Sequence, residues 1–96
     1  MSGYVLSPRA QADLDQIWDY TARRWDEDQA DRYILAMRAA IEAVVRDPRR
    51  GRACDHIRSG YRKYPAGSHM LFFRVTSEGI DVVRILHQSM DFERHF

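Results

Sequence analysis

The sequence predicts an α+β fold in which an antiparallel helix hairpin packs on one face of a small twisted antiparallel sheet, in the order β-α-α-β-β-β. Two stretches of the first half repeat apolar residues at helical spacing, and a short apolar segment precedes them. The second half changes to runs of strand-forming residues separated by turn residues. A helix hairpin on one sheet face buries both stripes in one core, which suits a chain of 96 residues. We therefore expect a single domain, residues 1–96.

The first strand is predicted at residues 4–6 and the first helix directly after it. Ser7 is a good N-cap, and Pro8 fits the first helical position, where a missing N–H costs nothing. One stripe of apolar spacing follows, and the charged residues Asp13, Asp15, Asp19 and Arg23 are expected on the outside of the helix. The stripe consists of Leu14, Ile17, Trp18, Thr21 and Trp25.

The second helix is predicted to begin within residues 26–28 and to end at Asp47, before Pro48. Acidic residues at its start supply an N-cap and suit the helix dipole, and proline stops it. The link between the helices is very short, which predicts an antiparallel hairpin. The apolar stripe consists of Ala30, Tyr33, Ile34, Met37, Ile41, Val44 and Val45.

After Pro48 the sequence predicts a basic loop, RRGRACD, and then three strands. A weakly alternating strand covers residues 57–64, a turn covers 65–67, and a central strand, covered on both faces, spans 69–76. A tight hairpin at 77–79 leads to the last strand, 80–86. Alternation predicts that the face of the sheet away from the helices carries much of the arginine. One face of the last strand should hold Ile80, Val82, Arg84 and Leu86, and the other Asp81, Val83 and Ile85.

Composition excludes several classes of protein. No apolar stretch approaches the roughly 18 residues of a membrane span, so we expect no membrane association. The N-terminus lacks the pattern of a signal peptide, and Cys54 is the single cysteine, so we expect a reducing, cytoplasmic location. Residues 1–48 carry six arginines and nine acidic residues, whereas residues 49–96 carry nine basic and five acidic residues. This asymmetry favours an anionic partner for the second half, although a difference of this size also arises without function.

No familiar catalytic or metal-binding spacing occurs. There is no glycine-rich phosphate loop, no cysteine pair and no HExxH, so we expect no cofactor, no metal, no catalytic residue and no small-molecule substrate. Arginines interleaved with Tyr61, Tyr64 and Phe72 leave open an RNA-binding or RNA-cleaving face. Cleavage would need a base and an acid, for which the candidates that titrate near neutrality are His69, His87 and His95.

Four segments together resemble the ParE toxins of type II toxin-antitoxin systems, within the RelE/ParE superfamily. They are LSPRAQADLDQIWDY, DPRRGRACD, PAGSHMLFFRV and VVRILHQSMDF. The resemblance implies the same helix hairpin on a small antiparallel sheet. It also implies a toxin that poisons bacterial DNA gyrase and is silenced by a ParD antitoxin, whose disordered part folds on the toxin.

The rival branch of the superfamily, the ribosome-dependent mRNA interferases of RelE type, shares the fold. Those enzymes place arginines at positions that correspond to Met70 and about Ser89 in this chain, neither of which can hold a phosphate. The ending His95-Phe96 resembles the histidine and tyrosine that close some interferases, but it lacks the hydroxyl. The sequence therefore favours a toxin that acts by binding.

We expect the end of the last strand and the tail, residues 91–96, to form part of the surface that binds the target. The predicted target-binding residues are Arg58, Arg62, Lys63, Arg74, Arg84, His87, Arg94 and His95. The predicted antitoxin-binding residues are Trp18, Trp25, Tyr33, Met37, Tyr61 and Phe72.

Overall fold

The computed structural model describes residues 3–96 and places two helices on one face of a five-stranded sheet. The strand order is β1-β5-β4-β3-β2. This confirms the predicted fold class, with two additions: β1 runs parallel to β5, so the sheet is mixed, and β2 is an extra short edge strand. The elements are β1 (Tyr4–Leu6), α1 (Pro8–Arg24), α2 (Glu27–Arg46), a 3₁₀ turn (Pro48–Arg50), β2 (Arg52–Ala53), β3 (Tyr61–Ala66), β4 (His69–Thr76), β5 (Gly79–His87) and a second 3₁₀ turn (Phe92–His95).

Both helices begin where their capping residues predict, and α2 ends where Pro48 predicts. Ser7 Oγ accepts a hydrogen bond from the Ala10 N–H at 3.0 Å, and Pro8 is the first residue of α1. Asp26 caps α2 by accepting from the Gln29 N–H at 2.7 Å, and α2 ends before Pro48. Within residues 3–96, neither helix has the length and apolar content needed to cross a membrane.

The strands differ from expectation at β3. It begins at Tyr61 and continues through Pro65 and Ala66, which were expected in a turn. Proline is tolerated there because β2 pairs with β3 only as far as Lys63, so Pro65 lies where β3 has no neighbour on that side. Strand β4 matches its prediction, and its consecutive buried residues 71–73 confirm that both of its faces are covered.

A β-bulge in β5 overturns the predicted alternation of that strand. Phe73 pairs with Val82 whereas Phe72 pairs with Arg84, so Val83 is an extra residue. After the bulge, each side chain of β5 lies on the opposite face of the sheet from the one predicted. Ile85 therefore joins the core beneath the helices, while Leu86 packs on the other side of the sheet.

The sheet is covered on both faces. The main core lies between the helices and the sheet and includes Met37, Leu71 and Phe73. On the far face, a second cluster of apolar side chains is covered by residues 54–61 and by the C-terminal segment. The expectation that this face carries arginine is therefore wrong at its centre. Buried in this second cluster are Cys54, Phe72 and Leu86, with Ile57, Tyr61, Met70, Val83, Phe92 and Phe96 packed against them.

Asp13, expected on the outside of α1, is buried and ties α1 to the sheet. Its carboxylate accepts hydrogen bonds from Arg84 Nε at 2.9 Å and Nη2 at 3.0 Å, and from the Ile85 N–H at 2.8 Å. Strand β1 is too short to pair with this part of β5, so Asp13 satisfies a backbone donor that would otherwise have no strand partner. Asp13 follows Ala10 by three positions and precedes Ile17 by four, which is the spacing of one helix face.

A second polar contact ties α2 to the sheet. The Tyr33 hydroxyl lies 2.7 Å from His69 Nδ1 and accepts from the Ser68 N–H at 2.9 Å. The His69 ring also packs edge to face against His87. Burial, followed by the neighbouring His87, lowers the pKa of His69 from 6.5 to about 4, although Asp13 opposes the shift. His69 is therefore neutral at pH 7.

We expect Asp13→Asn to lower the free energy of unfolding by about 2 to 3 kcal/mol, because a buried guanidinium loses its counter-charge. Urea unfolding measures the change. The matched control is Asp15→Asn, which alters an exposed carboxylate bonded to Gln11 and should change stability by less than about 0.5 kcal/mol. Equal losses in the two variants would contradict the role assigned to Asp13.

We expect His69 to make the fold less stable as the pH falls from 6.5 towards 4. The folded pKa lies below the ordinary value, so the unfolded chain binds more protons in this window. Because the His69 side chain is partly exposed to solvent, the loss should be about 1 kcal/mol. Urea unfolding at pH 7 and pH 5 should show a smaller loss for His69→Gln than for the wild type. His56→Gln, in an exposed loop, should retain the full loss. An identical pH dependence in all three proteins would refute the assignment.

Candidate functional site

An open groove of about 500 Å³ lies between α1, the end of β5 and the C-terminal segment. We call it the terminal groove. Its lining includes Tyr20 from α1, Arg84 and His87 from β5, and Met90 and His95 from the segment that follows. Tyr20 is 63% exposed and Met90 44% exposed, so the groove offers apolar contacts beside basic groups. A shallower depression lined by Arg84, Arg94 and His95 adjoins it.

The groove exists because β1 is only three residues long. Beyond Val82, β5 has no strand on the side where β1 pairs with it, and α1 crosses this open edge instead. Ser7 Oγ donates to the Val83 carbonyl at 2.9 Å, and this hydrogen bond places the first residues of α1 beside the bulge. Asp13, one turn and a half further along, meets Arg84 and Ile85. The floor of the groove is thus built from side chains whose positions are set by hydrogen bonds.

The charged side chains of the groove differ in how strongly their hydrogen bonds and ion pairs hold them in place. Arg84 is held by Asp13 and donates a third bond, from Nη1 to the His95 carbonyl at 3.3 Å. The hydrogen bonds with Asp13 raise the pKa of Arg84 above its ordinary value. The His87 Nδ1 lies 2.7 Å from Ser89 Oγ. Arg94 is exposed and makes an ion pair with Asp91 at 3.5 Å, which is worth little at the surface.

The C-terminal segment is packed rather than frayed. The rings of Phe92 and Phe96 both meet Phe72 edge to face, at 4.9 Å and 5.0 Å between centroids. Phe96 also meets Tyr61 at 5.7 Å. These contacts, together with the bond from Arg84, hold the segment over the second cluster and present Arg94 to solvent.

The predicted target-binding residues separate into three places. Arg84, His87, Arg94 and His95 meet around the terminal groove and the depression beside it. Arg74 lies elsewhere on β4 and makes an ion pair with Asp81 at 2.9 Å. At the opposite edge of the sheet, on or near β3, lie Arg58, Arg62 and Lys63.

The predicted antitoxin-binding residues do not form one surface. Met37 is 1% exposed and Phe72 0% exposed, so in this conformation neither side chain reaches the surface, because each fills a core. Trp18 lies at the surface of the helix hairpin, where its Nε1–H donates to Asp31 at 2.9 Å. Two others, Tyr33 and Tyr61, are half-buried in contacts with His69 and Phe96.

Trp25 lies just beyond α1, at the tip of the hairpin, and is exposed. The Arg24 guanidinium lies over its ring at 5.3 Å from the centroid. Although Trp25 falls on the predicted apolar stripe, it contributes little to the core.

Sequence reasoning did not predict that Asp13, Tyr20 and Met90 line the terminal groove. The spacing of Ala10, Asp13 and Ile17 was a usable signal for the buried carboxylate, but Asp13 was assigned by its charge to the outside. Tyr20 and Met90 lie off the apolar patterns, and no local signal places them beside β5.

Metal binding finds no support in the arrangement of side chains. Among residues 3–96, no three His, Cys, Asp or Glu side chains come together in a way that could hold a metal ion. Cys54 is buried, and burial raises the pKa of its thiol, which makes it a poor nucleophile. Chemically, the terminal groove suits a ligand that combines carboxylates with apolar side chains, such as a segment of another protein.

Comparisons with known proteins agree with this fold and length. The family described as ParE toxin of type II toxin-antitoxin system, parDE, matches residues 4–92. The chain is 59% identical over 95 residues to Toxin ParE1 of Mycobacterium tuberculosis, covering 98% of this chain and 97% of the relative. It is 42% identical to Toxin ParE1 of Caulobacter vibrioides, covering 99% and 98%.

A solved structure shares the fold at low sequence identity. A chain from the chromosomal ParDE TA system of P. aeruginosa superposes with a TM-score of 0.77 at 20% identity, covering 88% of this chain and 94% of that one. The family match over residues 4–92 and the identity to the mycobacterial relative have one consequence: this chain belongs to the ParE family of toxins of type II toxin-antitoxin systems.

Proposed function

We propose that this chain acts in the cytoplasm by binding DNA gyrase and poisoning it, and that a ParD-like antitoxin neutralises it by direct binding. One observation carries the gyrase proposal: four of the predicted target-binding residues meet around the terminal groove and the depression beside it, close to exposed Tyr20 and Met90. Basic groups around apolar contacts are the composition of a protein-binding site.

The contacts of the basic groups favour binding over phosphodiester chemistry. A nuclease needs a cation that is free to follow the phosphate, together with a base and an acid. The Arg84 guanidinium is instead bonded to Asp13 through two nitrogens. His69 is neutral at pH 7 and bonded to Tyr33. Both groups are thus engaged in holding the fold.

We expect the combined variant H87A/R94A/H95A to inhibit gyrase at least about tenfold less than the wild type, because it removes three polar side chains from the terminal groove and the depression beside it and leaves Arg84 in place. Inhibition of supercoiling by purified gyrase is the measurement. Point substitutions test the groove more specifically than a deletion of residues 92–96, because the deletion would also remove Phe92 and Phe96 from the second cluster. The matched control is R38A/H56A, at exposed positions on α2 and in the 54–60 loop. Unchanged inhibition by the groove variant would contradict the proposal.

The antitoxin is proposed to bind the helix hairpin. A groove of about 230 Å³ runs along the hairpin, with Trp18 and Ile34 in its wall and Met37 at its floor. An amphipathic helix of a partner could place apolar side chains there, and the exposed arginine Arg38 would meet its carboxylates. This site is separate from the terminal groove, so the antitoxin could occupy it without contacting His87 or His95.

Replacing Trp18 by alanine should weaken binding of a ParD-like antitoxin by about 2 kcal/mol, since a buried aromatic anchor is lost from the interface. Isothermal titration with the purified antitoxin measures the affinity. Leu35→Ala is the control, because Leu35 is exposed on α2 and does not line the groove. If Leu35→Ala costs as much as Trp18→Ala, the antitoxin lies elsewhere on the hairpin.

Cleavage of mRNA on the ribosome is the second candidate, and one observation favours it: His87 and His95 lie in the same groove as Arg84. Met70 and Ser89, at the positions where interferases carry arginines, weigh against it, since Met70 packs on the second cluster and Ser89 bonds to His87. Cleavage of message on translating ribosomes by the wild type, lost in H87A/R94A/H95A, would establish this function in place of gyrase binding.

A further inference from the structure

The positive charge of the chain is concentrated at one edge of the sheet. Residues 46–63, here called the basic edge, contain seven basic and two acidic residues, a net charge of +5. The whole chain carries +1, so the rest of it is negative by four charges. The seven basic residues are Arg46, Arg49, Arg50, Arg52, Arg58, Arg62 and Lys63.

The fold gathers these residues because this segment turns back on itself. After α2 ends at Arg46, the 3₁₀ turn leads into β2, which pairs with β3 in antiparallel register. This pairing sets Arg52 opposite Lys63 on the same face of the sheet. The loop between the strands is closed by hydrogen bonds from the Ile57 and Arg58 N–H groups to the Cys54 carbonyl.

Most of the charge on the basic edge is uncompensated. Asp47 pairs with Arg49 at 3.1 Å, and Asp55 is engaged by the Gly60 N–H at 2.8 Å. Arg62 donates to the Gly51 carbonyl at 2.7 Å. The remaining four arginines are all exposed, and none makes an ion pair with an acidic side chain in the part of the chain described. These four are Arg46, Arg50, Arg52 and Arg58.

The surroundings of these arginines select among anionic partners. Among residues 3–96, the exposed large apolar side chains all lie outside residues 46–63, so the basic edge lacks the apolar anchors on which protein interfaces and membrane surfaces depend. Its one tyrosine, Tyr61, is packed against Phe96, and the basic edge contains no phenylalanine or tryptophan on which an unpaired base would stack. Free guanidinium groups without apolar or stacking partners match the regular phosphates of a double helix.

We propose that the basic edge binds the phosphate backbone of duplex DNA without regard to sequence. This inference rests on the proposed function in one respect, because a gyrase-bound toxin works beside the duplex that the enzyme holds. The basic edge and the terminal groove lie at different edges of the sheet, β2 and β5 being separated by β3 and β4. The toxin can therefore contact the DNA with one edge and the enzyme with the other.

Fluorescence polarisation of the full chain with a labelled 20-base-pair duplex of arbitrary sequence tests the proposal directly, with no gyrase present. Four phosphate contacts predict that log K falls with log salt concentration with a slope of about −4. The variant R50Q/R52Q should halve the slope and bind about tenfold or more weakly at 100 mM salt. The control R23Q/R38Q removes the same charge from exposed positions on the helices and should keep the wild-type slope.

Several outcomes would overturn the proposal. They are an equal loss in R23Q/R38Q, tighter binding to a single-stranded RNA or DNA of the same length, tighter binding to vesicles of anionic lipid, or no duplex binding at 50 mM salt. A supercoiling assay run in parallel separates this inference from the proposed function. Duplex binding that depends on Arg50 and Arg52, by a chain that leaves gyrase active, would uphold the basic edge and remove the gyrase proposal. Inhibition of gyrase by a chain that does not bind duplex would do the reverse.

Discussion

The carboxylate of Asp13 is the contact on which the shape of this toxin depends. Strand β1 covers only the first part of β5, and the rest of that edge would expose the backbone N–H of Ile85. Asp13 accepts that N–H and two guanidinium nitrogens of Arg84 at 2.8 to 3.0 Å. A buried carboxylate is tolerable only with such partners. The contact sets α1 against β5 and, through Arg84, the position of the C-terminal segment.

The bulge at Val83 and the packed C-terminal segment together let a chain of this length bury both faces of its sheet. Because the bulge reverses which face of the sheet each later β5 side chain lies on, Ile85 packs in the core beneath the helices and Leu86 packs in the second cluster. Phe92 and Phe96 then cover Phe72 from the far side. The C-terminal segment thus acts as a third layer, and the terminal groove is the seam between this layer and α1.

Local signals in the sequence were enough to predict the elements but not their tertiary contacts. Caps at Ser7 and Asp26 and the apolar stripes predicted both helices, because capping and periodicity are local properties. Asp13 was misassigned because a charged residue belongs outside unless a partner far along the chain meets it, and Arg84 is 71 positions away. The alternation in β5 failed because a bulge depends on the partner strand.

Prediction of the candidate site was limited in the same way. Basic residue type pointed to eight positions, and the fold brings three of them to the terminal groove and a fourth, Arg94, to the depression beside it. Met37 and Phe72 were predicted to contact the antitoxin, yet the chain covers both side chains itself. Packing decides which apolar side chains remain available to a partner. Packing depends on residues that are far apart in the sequence, so no single stretch predicts it.

The proline within β3 bears on how a free toxin behaves at high concentration. Past Lys63 that strand has no neighbour on its outer side, and an open row of backbone donors is a template on which another copy of the chain can add a strand. Pro65 offers no donor at that place, and the charge of Arg52 in β2 repels a second copy along the remainder of the edge. Pro65 and Arg52 thereby oppose aggregation by the addition of further strands to this edge of the sheet.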